Sequence, residues 1–194
     1  MSQTQLDVAI LGGGMAGNLL ARQLTRRLPN RRIGLFEKKL EHTYNVGESM
    51  VELASNYFVR RLGLGSYLYG RQYPKNGLRF FFDSSAKDTP LHEMSELGSA
   101  ALPYHPAFQI DRSRLETDLI AMNARDGVRV HRGERVEQLE LQSDGGPHRF
   151  RVSDGSASEE FGSRWVVDAT GRNRLIARLE GLDVPEKQLE NASI

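Results

Sequence analysis

Residues 6–17 read Leu-Asp-Val-Ala-Ile-Leu-Gly-Gly-Gly-Met-Ala-Gly, and this stretch decides the fold of the chain. An apolar run of strand length leads directly into a G-x-G-x-x-G pattern. Apolar residues then recur at helical spacing as far as Leu28, which predicts an amphipathic helix. A second run, Arg32–Phe36, ends at Glu37, which follows Gly17 by 20 residues. Strand, glycines, helix and strand in this register predict a dinucleotide-binding βαβ unit.

The glycines of this fingerprint have separate expected roles. Gly12 permits a tight turn, Gly14 lets a pyrophosphate approach the backbone, and Gly17 lets the helix pack closely on the strand. The helix N-terminus faces the phosphates, and the acidic residue accepts hydrogen bonds from ribose hydroxyls. The predicted nucleotide-binding residues of this unit are Gly12, Gly14, Met15, Ala16, Gly17, Glu37 and Lys38.

Three alternatives stay open for this unit. A glycine-rich turn in a βαβ unit can bind nothing. Lys38 and Lys39 either favour a 2′-phosphate or are solvated lysines at the start of a loop. The pattern by itself also does not say whether the adenosine belongs to FAD or to a nicotinamide dinucleotide.

The bulk composition excludes several classes of function. The chain has 194 residues, a net charge of +1 and no cysteine. The balanced charge offers no electrostatic case for nucleic acid or anionic membrane as a partner, and no apolar run has membrane-spanning length. Without cysteine there are no disulfides and no thiolate metal sites, and the five histidines lack ligand spacing, so no metal site is expected. The N-terminus has no basic leader, so we expect no signal peptide and a cytoplasmic location.

The middle of the chain predicts two helices separated by a less regular region. The first helix runs from about Ser49 to Arg61, with Ser49 and Glu52 as a capping box. The turn Pro74–Gly77, a strand over 78–82 and a long loop over 83–107 follow. The second helix begins near Ser113, with Ser113 and Glu116 as its capping box.

The last third of the chain predicts an antiparallel meander between two parallel strands. A strand over 128–130 is followed by strands around 136–141 and 150–152, and the last strand ends at Asp168. A helix over 172–180 closes the pattern. The fold class is therefore α/β, a three-layer FAD-type Rossmann domain with an antiparallel β-meander crossover and the start of a substrate-facing region.

Three further segments carry a family resemblance. They are Val46-Gly47-Glu48-Ser49, Gln109-Ile110-Asp111-Arg112-Ser113-Arg114-Leu115 and Trp165-Val166-Val167-Asp168-Ala169-Thr170-Gly171-Arg172. Together with the N-terminal glycines, this order resembles the FAD-dependent monooxygenases typified by p-hydroxybenzoate hydroxylase, and within them the flavin-dependent halogenases. The resemblance implies FAD as the cofactor.

The resemblance also implies flavin-contacting residues outside the fingerprint. They are Gly47, Glu48, Ser49, Arg112, Asp168 and Gly171. Local alternatives stand beside these roles: helix capping for Glu48 and Ser49, a surface charge for Arg112, and a turn residue for Asp168.

Lys75 is the catalytic candidate. In the halogenases a lysine just before a strand captures or hydrogen-bonds hypohalous acid and delivers it to the substrate, and Tyr73–Phe80 is similar to that segment in position and spacing. The competing interpretation is a solvated lysine in a Pro-Lys-Asn-Gly turn. Pro74, Asn76 and Gly77 also depart from the commoner Phe-Lys pattern of the family.

The resemblance implies a flavin monooxygenase or halogenase that acts on an aromatic or other small organic substrate through a flavin C4a-hydroperoxide. A flavin reductase or NAD(P)H is the implied electron source. Two other functions stay open: a reductase or dehydrogenase of a lipid or isoprenoid double bond, and an inactive FAD-binding module. We expect an FAD-binding domain formed by about 1–63 and 108–194, with an inserted segment at about 64–107. Because the family's members are far longer, we expect the N-terminal portion of a larger enzyme.

Overall fold

The computed structural model describes residues 4–41, 43–83, 88–98 and 100–184. The chain divides into two compact units, residues 1–42 with 116–194, and residues 43–115. The second unit encloses the expected insertion at about 64–107 and is wider than it. Residues 189–194, whose sequence predicts the start of a further strand, lie outside the described residues.

The first unit has the longer strands, and the elements that lie wholly in the second unit are short. The strands are β1 (Thr4–Leu11), β2 (Ile33–Glu37), β3 (Tyr73–Lys75), β4 (Arg79–Phe82), β5 (Ser95–Gly98), β6 (Ala107–Gln109), β7 (Arg129–Arg132), β8 (Arg135–Glu140), β9 (His148–Ser153) and β10 (Ser158–Asp168). The helices are α1 (Met15–Arg27), α2 (Glu52–Asn56), α3 (Gly65–Arg71), α4 (Arg112–Arg125) and α5 (Leu175–Leu179).

The first unit is built on a six-stranded sheet in the order β7-β2-β1-β10-β9-β8. The strands β7, β2, β1 and β10 run parallel, and β10, β9 and β8 form an antiparallel meander. Every residue of β2 is buried, as expected for an apolar strand inside a parallel sheet. The predicted fold class, with its meander crossover, is confirmed.

Two hydrophobic clusters form the core of this unit. Ile10 belongs to a cluster with Ala21 of α1 and Ile120 of α4. Ala9 and Leu11 belong to the other cluster, which contains the aromatic rings of the meander. Successive side chains of β1 therefore serve different clusters, because side chains alternate across a strand. Phe36, Phe150 and Phe161 pack there at ring-centroid distances of 4.9 to 5.4 Å.

The second unit corrects two sequence predictions. The first of its helices starts at Glu52 rather than at about Ser49, and its last turn, Tyr57–Arg61, is π-helical. The extended residue before it, Val51, provides no capping side chain, so the predicted Ser49 capping box is wrong. Ser49 instead pairs with Gln109 in a β-bridge, so its backbone is extended. The region 83–107 is not a continuous loop, because it contains β5, which pairs with β4 just before the region.

The capping residue of α4 also differs from the prediction. The helix begins at Arg112, and the Asp111 carboxylate accepts a 3.0 Å hydrogen bond from the Arg114 backbone N–H. This bond lowers the pKa of Asp111. Asp111 therefore caps the helix in place of Ser113, and the helix begins two residues earlier than the capping-box pattern predicts.

The C-terminal helix is interrupted where the sequence predicts a continuous one over 172–180. A 3₁₀ turn, Gly171–Asn173, precedes α5, and Arg174 between them has a left-handed backbone with φ of 47°.

Within the described residues, no helix is long and apolar enough to cross a membrane.

The turn between β9 and β10 generates a prediction about pH. Asp154 accepts three hydrogen bonds of 2.8 Å, from the Ser156 N–H, the Ser156 hydroxyl and the Ala157 N–H. These bonds lower the pKa of Asp154 to about 2. The folded-state pKa is below the unfolded value of about 4, so the stabilisation is present above that value and is lost as pH falls to about 2. We expect the melting temperatures of the wild type and Asp154→Ala to differ at pH 6 and to converge at about pH 2. A difference that stays constant over this range would contradict the assigned role.

Candidate functional site

The loop between β1 and α1 shows three glycines with three different constraints. Gly12 has φ of +109°, and a Cβ there would lie 2.3 Å from the Ala169 carbonyl oxygen. A Cβ on Gly17 would lie 1.9 Å from the Gly12 carbonyl oxygen. A Cβ on Gly14 would meet nothing within 4 Å. The structure therefore requires glycine at Gly12 and Gly17 for internal packing, and leaves open space beside Gly14.

The N-terminus of α1 is suited to an anion. Gly14 precedes the helix, contributes no capping side chain, and no acidic residue lies in the first turn. The first backbone N–H groups of a helix have no intrahelical acceptor and carry a positive partial charge. Met15 and Ala16 are the first two residues of this helix, so their amides belong to this group of donors. The loop can accept a phosphate group on these amides.

Glu37 lies at the end of β2, beside this loop, and is 7% exposed. Its carboxylate accepts a 2.7 Å hydrogen bond from the Gly13 N–H and a 2.9 Å bond from the Lys39 N–H. Gly13 must also be glycine, because a Cβ there would lie 2.7 Å from the Glu37 Cβ. Sequence reasoning missed this constraint. The predicted ribose-binding acid is thus tied directly to the glycine loop. Lys38 follows it, and its binding role stays a prediction.

One buried asparagine contacts the loop and a second contacts the first, and sequence reasoning missed both. Asn18 on α1 and Asn123 on α4 are fully buried. The Asn18 side-chain amide donates to the carbonyl oxygens of Gly13 and Gly14, and Asn123 donates to Asn18. The signal in the sequence was a polar residue within each apolar helical pattern, which usually lies on the solvent side.

Asp168 and Gly171 lie where β10 ends. The Asp168 carboxylate accepts hydrogen bonds from the Thr170 N–H (2.9 Å), the Thr170 hydroxyl (2.6 Å) and the Ile176 N–H (2.8 Å). Gly171 has φ of +62°, a conformation that favours glycine. The local turn role of Asp168 is therefore present, and direct contact with a cofactor stays a prediction for both residues.

In the second unit, the structure brings Lys75 and Ser49 together. Lys75 is the last residue of β3, whose partner is β6, and Ser49 bridges to Gln109 at the end of β6. The Lys75 ammonium donates a 2.8 Å hydrogen bond to the Ser49 hydroxyl oxygen. Lys75 is partly buried, so its interpretation as a fully solvated turn lysine is wrong.

The loop before Ser49 is held by two polar contacts. The Arg112 guanidinium donates to the Val46 carbonyl, and a Cβ on Gly47, where φ is +93°, would lie 3.5 Å from this guanidinium. Glu48 accepts a 2.9 Å hydrogen bond from the Tyr44 hydroxyl, and this bond raises the pKa of Tyr44. Helix capping is excluded for Glu48 and Ser49 because α2 begins at Glu52. Flavin contact by Gly47, Glu48, Ser49 and Arg112 stays a prediction.

Comparison with protein families identifies the cofactor class of this arrangement. A family model described as FAD binding domain matches residues 5–193. This chain belongs to that family of FAD-binding domains. The expected cofactor, FAD, is confirmed at the level of the family. The open space at Gly14, the uncapped helix start and the buried acid at the end of β2 fit a diphosphate and a ribose, so the residues present fit FAD.

The relatives of this FAD-binding domain include flavin-dependent halogenases. Flavin-dependent halogenase chlA of Dictyostelium discoideum is 27% identical, with 86% of this chain and 31% of the relative covered. The 1H-pyrrole-2-carbonyl-(peptidyl-carrier protein) chlorinase of Pseudomonas fluorescens is 29% identical, with 94% and 43% covered. The chain therefore spans less than half the length of these relatives. The recognised resemblance to the flavin-dependent halogenases is confirmed.

A solved structure shows the same fold. A flavoprotein/dehydrogenase from Cytophaga hutchinsonii superposes with a TM-score of 0.76 at 22% identity, covering 94% of this chain and 43% of the other.

Among the residues that the structure describes, no group of three or more His, Asp or Glu side chains is placed to hold a metal ion.

The glycine geometry predicts opposite outcomes at two positions. Gly14→Val places its branched side chain in open space at a negative φ, so the domain folds normally while the diphosphate loses its approach. We expect FAD affinity to fall at least about tenfold with a wild-type melting temperature. Titration of the purified chain with FAD, followed by flavin absorbance and fluorescence, measures the affinity.

Gly17→Ala is the matched variant at the same loop. Its Cβ would overlap the Gly12 carbonyl, so we expect a loss of about 1–3 kcal/mol in the free energy of unfolding. Retention of flavin by Gly14→Val, or a Gly17→Ala protein as stable as the wild type, would contradict these two roles.

Proposed function

We propose that this chain is the FAD-binding portion of a flavin-dependent halogenase, and that Lys75 is its catalytic residue. The observation that carries the proposal is the 2.8 Å hydrogen bond between Lys75 and Ser49. It joins the residue expected to handle the oxidised halogen to a residue expected to contact the flavin. The family membership and the halogenase relatives support the FAD-binding part of this proposal.

The glycine loop and Glu37 bind the adenosine diphosphate part of FAD in this proposal. Gly14, Met15 and Ala16 offer backbone to the phosphates, and Glu37 accepts hydrogen bonds from the ribose hydroxyls. A carboxylate has about four lone-pair sites, and two backbone N–H groups use two of those of Glu37. Acceptor capacity therefore remains for the ribose.

Lys75 acts as a donor in this proposal. Bound reduced FAD would supply the electrons that activate dioxygen, and the activated oxygen would oxidise the halide to hypohalous acid. An ammonium has three N–H donors, and Ser49 takes one of them. The remaining donors can bind the oxygen of a hypohalous acid and polarise its oxygen–halogen bond. The hydrogen bond to Ser49 fixes the direction of the Lys75 side chain at the end of β3. A lysine without such a bond would have no fixed direction.

The partners in this proposal are small molecules and an electron donor. An aromatic or similar small organic molecule accepts the halogen, and a flavin reductase or NAD(P)H provides the electrons. An enzyme of this type could instead hydroxylate the same class of substrate. The role of Lys75 distinguishes the two reactions, because hydroxylation does not need a residue that binds hypohalous acid.

Lys75→Ala tests the proposed function in the protein that carries this chain. We expect halogenation to fall at least about a hundredfold, because a general acid–base group contributes about 10² to 10⁴ in rate. FAD affinity and NADH-driven peroxide release should stay within about twofold of the wild type. Mass spectrometry of the halogenated product and a peroxide assay measure the two activities. We expect Ser49→Ala to reduce halogenation less, about tenfold, because Lys75 stays present but loses its orientation.

Arg71→Ala is the matched control, because Arg71 is an exposed cation in the same unit. It should leave product formation unchanged. A Lys75→Ala protein that halogenates at the wild-type rate would refute the proposal. If Lys75→Ala loses FAD together with activity, Lys75 serves cofactor binding rather than halogen transfer.

A further inference from the structure

The carbonyl side of the glycine loop is held by one buried side chain. Asn18 is 0% exposed, and its Nδ2 donates to the Gly13 carbonyl oxygen and, at 3.3 Å, to the Gly14 carbonyl oxygen. Both acceptors lie in the segment where the chain turns from β1 into α1. One amide group therefore binds the two carbonyls that precede the first turn of the helix.

Asn18 is held in turn by Asn123, which lies 105 residues later on α4. The Asn123 Nδ2 donates to the Asn18 backbone oxygen at 3.0 Å and to the Asn18 Oδ1 at 3.1 Å. Because Oδ1 accepts from Asn123, the Asn18 amide has its Nδ2 on the glycine side. Asn123 thereby sets which way the Asn18 amide faces.

We propose that Asn18 and Asn123 are a positioning pair for the diphosphate of FAD, with the pair presenting the glycine-loop amides to the phosphates. This inference rests on the proposed binding of FAD at the loop. The Asn18 side-chain amide keeps the Gly13 carbonyl turned into the protein, and it adds a second donor to the Gly14 carbonyl, which also accepts a 3.0 Å helical hydrogen bond from the Asn18 backbone N–H. Carbonyl oxygens turned outward would repel the phosphates, so holding them inward leaves the N–H groups as the surface that an anion meets.

Stability alone does not account for the pair. Within the described residues, the Asn123 Oδ1 is buried and has no hydrogen-bond partner. A buried amide oxygen without a partner destabilises a fold, and an apolar side chain of similar size would avoid that cost. An amide at this position is explained by the donors that it directs at Asn18. A loop held in its binding conformation before the ligand arrives also loses less conformational entropy on binding.

The test removes the donor and compares ligands with and without phosphates. Asn123→Leu keeps the approximate volume and removes the amide, and Asn123→Ala is a second variant with less steric risk. FAD, ADP and adenosine are titrated into the purified chain by calorimetry or NMR. We expect FAD and ADP to bind about tenfold more weakly to both variants, and adenosine to bind within about twofold of the wild-type affinity.

Ile120→Val is the matched control, because Ile120 lies one turn earlier on α4, is buried, and packs in the cluster that includes Ala21. It should lower the melting temperature of the FAD-free chain while leaving FAD and ADP affinity within about twofold. A purely structural role for the asparagines would weaken adenosine and ADP equally, and would make Ile120→Val behave like Asn123→Leu at equal loss of melting temperature.

The failure of this inference is distinct from the failure of the proposed function. A wild-type chain that binds FAD and ADP, with Asn123 variants that bind both equally well, overturns the positioning pair alone. A wild-type chain that binds neither FAD nor ADP overturns the proposed binding and the pair with it. A selective loss of the phosphate-bearing ligands supports both.

Discussion

The close approach of backbone to backbone at Gly12 and Gly17 is the constraint on which the first unit depends. Gly17 on α1 lies against the Gly12 carbonyl, and Gly12 lies against the Ala169 carbonyl just after β10. The β1–α1 segment and the residues just after β10, which are distant in sequence, thus meet where neither glycine has room for a methyl group. Because these contacts fix the start of α1, they also fix the direction in which its first N–H groups point. A Cβ on Gly14, by contrast, would meet nothing within 4 Å.

Most of this unit follows from local patterns. The parallel strands are apolar runs, and the meander strands are separated by turns rich in glycine and aspartate. Each of these patterns lies within the residues of the element that it predicts, or directly beside them. The roles expected for Gly12, Gly14 and Gly17 rest on the same locality, because a tight turn and a close packing contact involve few neighbours. Glu37 could be placed by counting from the fingerprint. Its bond to the Gly13 N–H could not, because that bond depends on how the loop folds back over β2.

The second unit resisted prediction because tertiary contacts override its local signals. Ser49 and Glu52 have the spacing of a capping box, but the Ser49 backbone pairs with Gln109 and its hydroxyl accepts from Lys75. An extended pairing with a strand 60 residues later competes with one capping bond, and the strand pairing prevails. The Pro74–Gly77 segment has turn composition, yet Pro74 and Lys75 are the end of a strand whose partner, β6, lies more than 30 residues later in the sequence. Neither contact leaves a signature within a short window.

The glycine loop is held by side chains on both its donor side and its acceptor side. On the donor side, Glu37 accepts from the Gly13 N–H, and on the acceptor side Asn18 donates to the Gly13 and Gly14 carbonyls. The acid expected to bind the ribose and the amide that orients the diphosphate loop therefore share Gly13 as a common neighbour. A shift of this one residue would disturb both contacts together. The proposed ribose and diphosphate subsites share in this way one hydrogen-bonded arrangement, and Gly13, which the G-x-G-x-x-G pattern leaves unspecified, is the residue that joins them.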